Sequence, residues 1–359
     1  VDNGGTCMSE AIVESPADEP PAKPRGRVRR FVLDVIALNA LLLALTVSLA
    51  WLVSLWFDGD VSEVHGLTLR VVACVFFFRV FQLYVSVLLL VVGLVVLIMK
   101  FRKIAALNLV LSLILISPFA RSVLPKSPPA VKCSTLKVYS GNLFSSNRDG
   151  EAILRSIRAE DPDVIVLLEV SNWSYKLLTK EFGDTYRYVH RPHYTGGGMI
   201  LSRVPFHEDR PVARFERGHT RVPVVFTLDG KEFAMYPVHL LSPGKLSLVA
   251  EHREQIREFL EIERNEKRPM VIVGDCNMTP QTPNFQALRN VGFRSTYELA
   301  GFGLCNTWGP RWWPRLYKLP GVQIDQMLLQ PPLTAKWHHV GLDTGSDHRP
   351  IVAEIGFGE

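Results

Sequence analysis

The chain has 359 residues and carries 40 Lys and Arg against 35 Asp and Glu, a formal net charge of +5. That length accommodates a membrane part together with one sizeable domain, and so modest a charge excludes a dedicated nucleic-acid binder with a strong basic excess. Its five cysteines show no CxxC or comparable spacing, which excludes a structural zinc site of the usual kind.

Residues 1–30 are rich in Pro, Ala and charge, lack apolar periodicity and end in Arg25, Arg27, Arg29 and Arg30, so a disordered basic tail is expected. Residues 31–57 then run apolar with Asp34 as their one charge, long enough to cross a hydrocarbon core that needs about 20 residues. Ser48 and Ala50 could mark a signal-peptide cleavage site, but the apolar run continues to Phe57, which favours an uncleaved anchor. Residues 80–99 and 104–120 form a second and a third span, giving three transmembrane helices. Val71 to Phe78, caught between Arg70 and Arg79, either lengthens the second span with Arg79 snorkelling or lies at the interface.

Basic residues flank the first span and sit at Lys100, Arg102 and Lys103 between the second and third, whereas Asp58, Asp60 and Glu63 follow the first. The positive-inside rule then places the tail in the cytoplasm and everything after Arg121 outside it, at the plasma membrane. The organisation expected is a tail (1–30), a membrane domain (31–121), a linker with Pro125, Pro128 and Pro129 (122–133) and a soluble domain (134–359). From residue 134 onward 27 Lys and Arg face 26 Asp and Glu, so the excess charge belongs to the membrane flanks. Cys276 is expected to point into the core, and a Cys133–Cys305 disulfide stays open.

In the soluble domain, apolar runs repeatedly end in a polar residue able to ligate or hydrogen-bond. Leu136–Val138 leads to Asn142, Val164–Leu167 to Glu169, and Met270–Val273 to Asp275 and Asn277. Buried strands that stop this way commonly carry the sites of layered α/β proteins. Helices are expected over 150–159, 174–182, 246–265 and 284–290, and a hairpin around Asp229-Gly230 delivers His239 at the end of its second strand. Gly196-Gly197-Gly198 lacks a following helix and reads as a hinge before the strand 199–202 rather than a phosphate cradle. The loop 306–322 interleaves Trp308, Trp312, Trp313 and Tyr317 with Arg311, Arg315 and Lys318, a composition suited to a membrane interface, a stacked base or a phosphate-bearing ligand. It runs into Asp325 at the start of another strand.

Close to the C-terminus, Gly345-Ser346-Asp347-His348 forms a tight turn before the apolar run Ile351–Ala353. An Asp-His pair in a turn is by itself ordinary surface, but a carboxylate beside an imidazole can bind a divalent cation and handle a proton together. The ordered set Asn142, Glu169, His239, Asp275 with Asn277, Asp325, and Asp347 with His348 resembles the endonuclease/exonuclease/phosphatase superfamily over roughly residues 134–357, with Ile200-Leu201-Ser202-Arg203-Val204-Pro205 also typical of it. Bacterial membrane-anchored members have a similar layout.

The resemblance implies a four-layer α/β sandwich of two packed, mostly antiparallel sheets flanked by helices, here preceded by three transmembrane helices. It implies a metal-dependent hydrolase of phosphoester bonds that uses magnesium, with manganese as a substitute. Glu169 would be the principal metal ligand, assisted by Asn142 and Asp347. Asp275 and Asn277 would position the attacking water, His348 oriented by Asp325 would stabilise developing charge or move a proton, and His239 would contact the phosphate. Apurinic endonucleases carry a further acidic residue where Phe144 stands, so the resemblance does not extend to a second metal position or to abasic-site activity. The function expected is a membrane-anchored phosphoesterase outside the cytoplasm, acting on a lipid-linked phosphate. An extracytoplasmic nuclease is the alternative within the enzyme class. A non-catalytic module is a third reading, opposed by the occupancy of every polar position of the motif.

Overall fold

The computed structural model describes residues 25–124, 126–127, 130–191, 197–209, 213–214, 220–309 and 321–358. Trp312 and Trp313, the three linker prolines, Gly196 and residues 1–24 of the tail lie outside the described residues.

Four helices come first: α1 (Arg25–Trp56), α2 (Gly66–Val80), α3 (Gln82–Ile98) and α4 (Arg102–Ala120). α1 and α4 are each long and apolar enough to cross a membrane. The second expected span coincides with α3, which has 17 residues and qualifies only together with α2, from which it is bent by 71°. The helices therefore offer two spans, or three if the bent pair is one. α1, α3 and α4 form a bundle sewn by buried polar side chains, as is usual where helices pack without a hydrophobic driving force. Asn108 Nδ2 donates to the Ala40 carbonyl at 3.3 Å, Ser112 Oγ to Ser86 at 2.8 Å and Gln82 Nε2 to Leu115 at 2.8 Å.

α2 leaves this bundle and packs against the soluble domain. Val72 and Ala73 bury against Val249, and Phe76 enters the cluster of Ile256 and Phe259. Val72 and Phe76, buried, each stabilise the junction by about 1.5–3 kcal/mol, and Ala73 by less. Val71 to Phe78 does not lengthen α3 as one straight helix but packs on the soluble domain, and Arg79 does not snorkel. It is 7% exposed, donates from Nε to the Gln281 carbonyl at 2.6 Å and pairs with Asp58 at 3.3 Å. Buried Arg253 likewise reaches back to the Ser62 carbonyl at 2.9 Å and lies 3.9 Å from Asp60.

The soluble part begins with β1 (Val131–Asn142), α5 (Gly150–Glu160), β2 (Val164–Leu168), α6 (Asn172–Phe182), β3 (Tyr188–His190) and β4 (Gly198–Ser202). It continues through β5 (Phe206–Glu208), β6 (Ala213–Arg214), β7 (Thr220–Arg221), β8 (Val224–Leu228), β9 (Lys231–His239), α7 (Leu246–Asn265) and β10 (Met270–Asp275). α8 (Pro283–Asn290), β11 (Arg294–Ser295), α9 (Thr296–Ala300), β12 (Asp325–Leu329), β13 (Leu333–Val340) and β14 (Ile351–Gly358) complete it.

Two six-stranded sheets result, ordered β13-β14-β1-β2-β4-β3 and β11-β12-β10-β9-β8-β5. Only β1/β2 in the first and β9/β10 in the second pair in parallel, so both sheets are mostly antiparallel. Their facing sides share one core, in which Val138, Val166 and Ile351 meet Phe226, Val271 and Met327. α5 and α6 cover the outer side of the first sheet through Ile153, Ile157 and Leu178, and α7 and α8 that of the second through Ile256, Phe259 and Phe285. The fold is the four-layer α/β sandwich.

Candidate active site

Strand direction gathers the polar strand ends. β1 and β2 run parallel with Asn142 opposite Leu168, which brings Asn142 and Glu169 to one edge. In the other sheet Asp275 pairs in register with both His239 and Asp325, the parallel neighbour ending and the antiparallel neighbour beginning there. β14 starts opposite Ser140, so the turn carrying Asp347 and His348 lies at that same edge. Gly274 allows close approach here: a Cβ on it would lie 2.2 Å from the Val238 carbonyl of the neighbouring strand β9 and 3.1 Å from Leu168 Cδ1 of the other sheet.

Asn142 is the hinge pin between the sheets. Its Nδ2 donates to Glu169 Oε1 at 3.0 Å and to Asp275 Oδ2 at 3.2 Å, while its Oδ1 accepts the Phe144 N–H at 3.0 Å. Glu169 Oε2 accepts the Ser145 N–H at 3.1 Å. Glu169 and Asn277 stand at φ +52° and +47°, a region that costs a glutamate more than an asparagine and that clusters at functional sites. Asp275 is 2% exposed, accepts the Asn277 N–H at Oδ1 (3.0 Å) and turns Oδ2 toward two imidazoles, His239 Nε2 at 3.6 Å and His348 Nε2 at 3.7 Å. His348 Nδ1 donates to Asp325 Oδ2 at 2.9 Å.

These carboxylates decide the charge of His348. Burial disfavours its protonated form, but Asp325 and Asp275 outweigh burial and hold its pKa up at about 10. Asp275 is itself pushed above the usual carboxylate range by burial, against the pull of the imidazoles. Ligating atoms of Asp275, Asp325 and His348 all lie within 4.8 Å of one another, close enough to enclose a cation. The imidazolium already supplies positive charge there, and a metal would have to expel its proton. The remaining carboxylates at this edge are Glu169, partly open to solvent, and Asp347, of intermediate exposure.

All eight residues expected from the sequence lie at this edge, seven of them linked through the contacts above. Asp347 accepts a long hydrogen bond from the Ser346 hydroxyl at 3.4 Å. Three supports escaped sequence reasoning. Ser346 Oγ donates to the Asn142 carbonyl at 2.7 Å and accepts the His348 N–H at 3.1 Å, tying the turn to β1. Thr307 Oγ1 accepts the Asp325 N–H at 3.0 Å. His252, fully buried, donates from Nε2 to the Cys276 carbonyl at 2.9 Å and accepts from Asn284 at Nδ1 (2.7 Å), which fixes a neutral tautomer and steadies the backbone between Asp275 and Asn277. Ser346 stood within the quoted motif, but nothing in the sequence marks Thr307 or His252. Cys305 is a free, buried thiol 3.4 Å from His338 Nε2.

Residues 139–348 match the model of the Endonuclease/Exonuclease/phosphatase family. Among solved structures, an endonuclease/exonuclease/phosphatase from Beutenbergia cavernae is similar at 22% identity and a TM-score of 0.49, covering 62% of this chain and 72% of that one. A functionally unknown conserved protein from Enterococcus faecalis is similar at 18% identity and a TM-score of 0.50, covering 62% and 100%. TDP2 from D. rerio, complexed with a single-strand DNA product, is similar at 19% identity and a TM-score of 0.49, covering 62% and 99%. No curated protein matches the chain. The family match spans more than half of the sequence and every polar strand end described above. The chain belongs to the endonuclease/exonuclease/phosphatase family, whose members are metal-dependent hydrolases of phosphoester bonds.

Proposed function

We propose that this protein is a membrane-anchored, magnesium-dependent phosphoesterase whose catalytic domain stands outside the cytoplasm and hydrolyses a lipid-linked phosphate. The observation that carries the catalytic part is the convergence of His239 and His348 on Asp275 Oδ2, with Asp325 behind His348. A buried carboxylate between two imidazoles suits alignment of a water, and a cationic imidazole fixed by a second carboxylate suits a phosphoryl group gaining charge.

Asp275, held by Asn277 N–H and by Asn142, aligns the attacking water and draws on its proton. Asn277, anchored by donating to the Leu240 carbonyl at 2.9 Å, assists that placement. His348 presents Nε2–H to the charge developing on the phosphoryl oxygens or the leaving group, and His239 contacts the phosphate. Glu169 and Asp347, with Asn142 arranging them, make a hard oxygen donor set, and Cys276 turns its thiol into the core, so the donors fit magnesium or manganese. When bound, that ion would polarise the phosphoester and offset its charge.

Two features support the membrane setting. Arg27, Arg29 and Arg30, together with Lys100, Arg102 and Lys103, lie exposed at the end of the helical bundle opposite the catalytic domain, since Ala40 packs with Val96 and Ala105 toward that end. This is the arrangement in which basic residues remain in the cytoplasm. A reporter active only in the cytoplasm should give signal when fused after Arg102 and none after Glu359. The reverse pattern would refute the orientation. The second feature is the packing of α2 on α7, which holds the domain against the bundle. In detergent micelles, purified protein should hydrolyse lipid phosphates faster than it cleaves single- or double-stranded DNA or RNA at low salt. Rapid cleavage of nucleic acid with no action on the lipids would establish the nuclease alternative instead.

A further inference from the structure

A cavity of about 860 Å³ lies between the helical bundle and the catalytic domain, bounded by the C-terminal ends of α1 and α4, the N-terminal end of α3 and the segments around α8 and α9. Its size is that of a small-molecule site. Its walls are of two kinds. Trp51, Leu55, Leu83 and Phe119 give an apolar part that belongs to the bundle, and basic residues from both the bundle's ends and the soluble domain adjoin it, Arg79 lying 4.9 Å over the Trp51 ring. Among its lining residues Arg79, Arg121, Lys126, Arg289 and Arg294 face only two acids, Asp58 and Glu298. Both acids are engaged, Asp58 with Arg79 and Glu298 with Arg289. Arg121, Lys126 and Arg294 form no ion pair among the described residues, and the Lys126 ammonium is held at the wall by the Tyr297 carbonyl and ring.

An apolar wall continuous with the bundle, beside three cations that form no ion pair among the described residues, Arg294 being steadied by the Arg289 and Phe293 carbonyls, is complementary to one kind of molecule: an amphiphile with an anionic head. We propose that this cavity binds an anionic phospholipid from the surrounding leaflet, its phosphate among Arg121, Lys126 and Arg294 and its acyl chains along Leu55, Leu83 and Phe119. The site is separate from the catalytic one and adjoins it from behind. Thr279 and Gln323 line the cavity, and each lies two residues along the chain from a site residue, Asn277 and Asp325 respectively. A bound lipid therefore braces the two segments that carry them. The proposal rests on α1, α3 and α4 lying in a bilayer, not on the identity of the substrate.

The test is binding, read without turnover. Full-length protein in neutral detergent would be incubated with phosphatidylglycerol, phosphatidylcholine or glycerol 3-phosphate and analysed by native mass spectrometry. One phosphatidylglycerol should be retained per chain, at least about tenfold more tightly than phosphatidylcholine, since basic residues near an anionic headgroup strengthen its binding. Glycerol 3-phosphate should not be retained. Arg121→Gln with Arg294→Gln should remove the preference, and Arg121→Lys with Arg294→Lys should keep it. Leu83→Trp, which fills the apolar side and leaves every charge in place, should also abolish retention, and it decides the matter if the glutamine pair does not fold. His348→Ala should retain lipid normally, which separates failure here from failure of the catalytic reading. Equal retention of the two lipids, or phosphatidylglycerol binding unchanged by both the glutamine pair and Leu83→Trp, would overturn the proposal. Tight capture of glycerol 3-phosphate would also overturn it, in favour of a soluble phosphate ligand.

Discussion

Asp275→Asn should lower turnover by about 10²- to 10⁴-fold, the contribution typical of a positioned proton-transfer group. The substitution keeps shape but removes the charge toward which two imidazoles converge at 3.6 and 3.7 Å. It also sets a second amide against Asn142, whose Nδ2 now donates to Asp275 Oδ2. The fold should survive, because burial already raises the pKa of Asp275 and the ionised form is the costly one in that setting. His348→Ala should produce a loss of similar size, and the double variant should be little worse than either single one if the two act as a unit. Steady-state kinetics on a generic phosphodiester, beside melting curves from circular dichroism, would check this. Near-normal turnover in either folded single variant would mean that the chemistry lies elsewhere.

Removal of divalent metal should be the most damaging change of all. A bound cation stabilises a phosphoester transition state by several kcal/mol, about 10³-fold or more in rate. EDTA should therefore abolish hydrolysis, and magnesium or manganese should restore it. Glu169→Gln should act as a partial chelation, raising the metal concentration needed for half-activity. That titration distinguishes a ligand from a support: Ser346→Ala, which loosens the turn beneath Asp347 and His348, should reduce the rate at saturating metal without comparable change in metal demand. Full activity in chelator would end the metal assignment.

The edge at which the candidate residues gather was legible because this chain marks it with a simple signal, an apolar run closed by one polar side chain. Glu169 after Val164–Leu168 and Asp275 at the end of β10 show it plainly. α7 was equally clear, since its apolar stripe recurs at helical spacing through Ile256, Phe259 and Ile262. What remained hidden depends on strand pairing and on docking between parts far apart in sequence. The opposition of Asp275 and Asp325 follows from an antiparallel register that no local pattern encodes. Thr307 acts through its hydroxyl on a backbone N–H 18 residues away, in a loop whose tryptophans drew attention instead. Arg79 read as a charge at the rim of a span because hydropathy cannot foresee the carbonyl of Gln281, 202 residues along the chain.

The packing of α2 has a practical consequence for anyone preparing the catalytic half by itself. Val61 and Phe76 precede β1 yet belong to the buried cluster of Ile256, Phe259 and Phe285, and Val72 and Ala73 shield Val249. A fragment beginning at Val131 would bare that patch and leave Arg253 without the Ser62 carbonyl and Asp60. Such a fragment should be prone to self-association and best kept in solution by mild detergent, whereas one beginning at Gly59 retains its own cover.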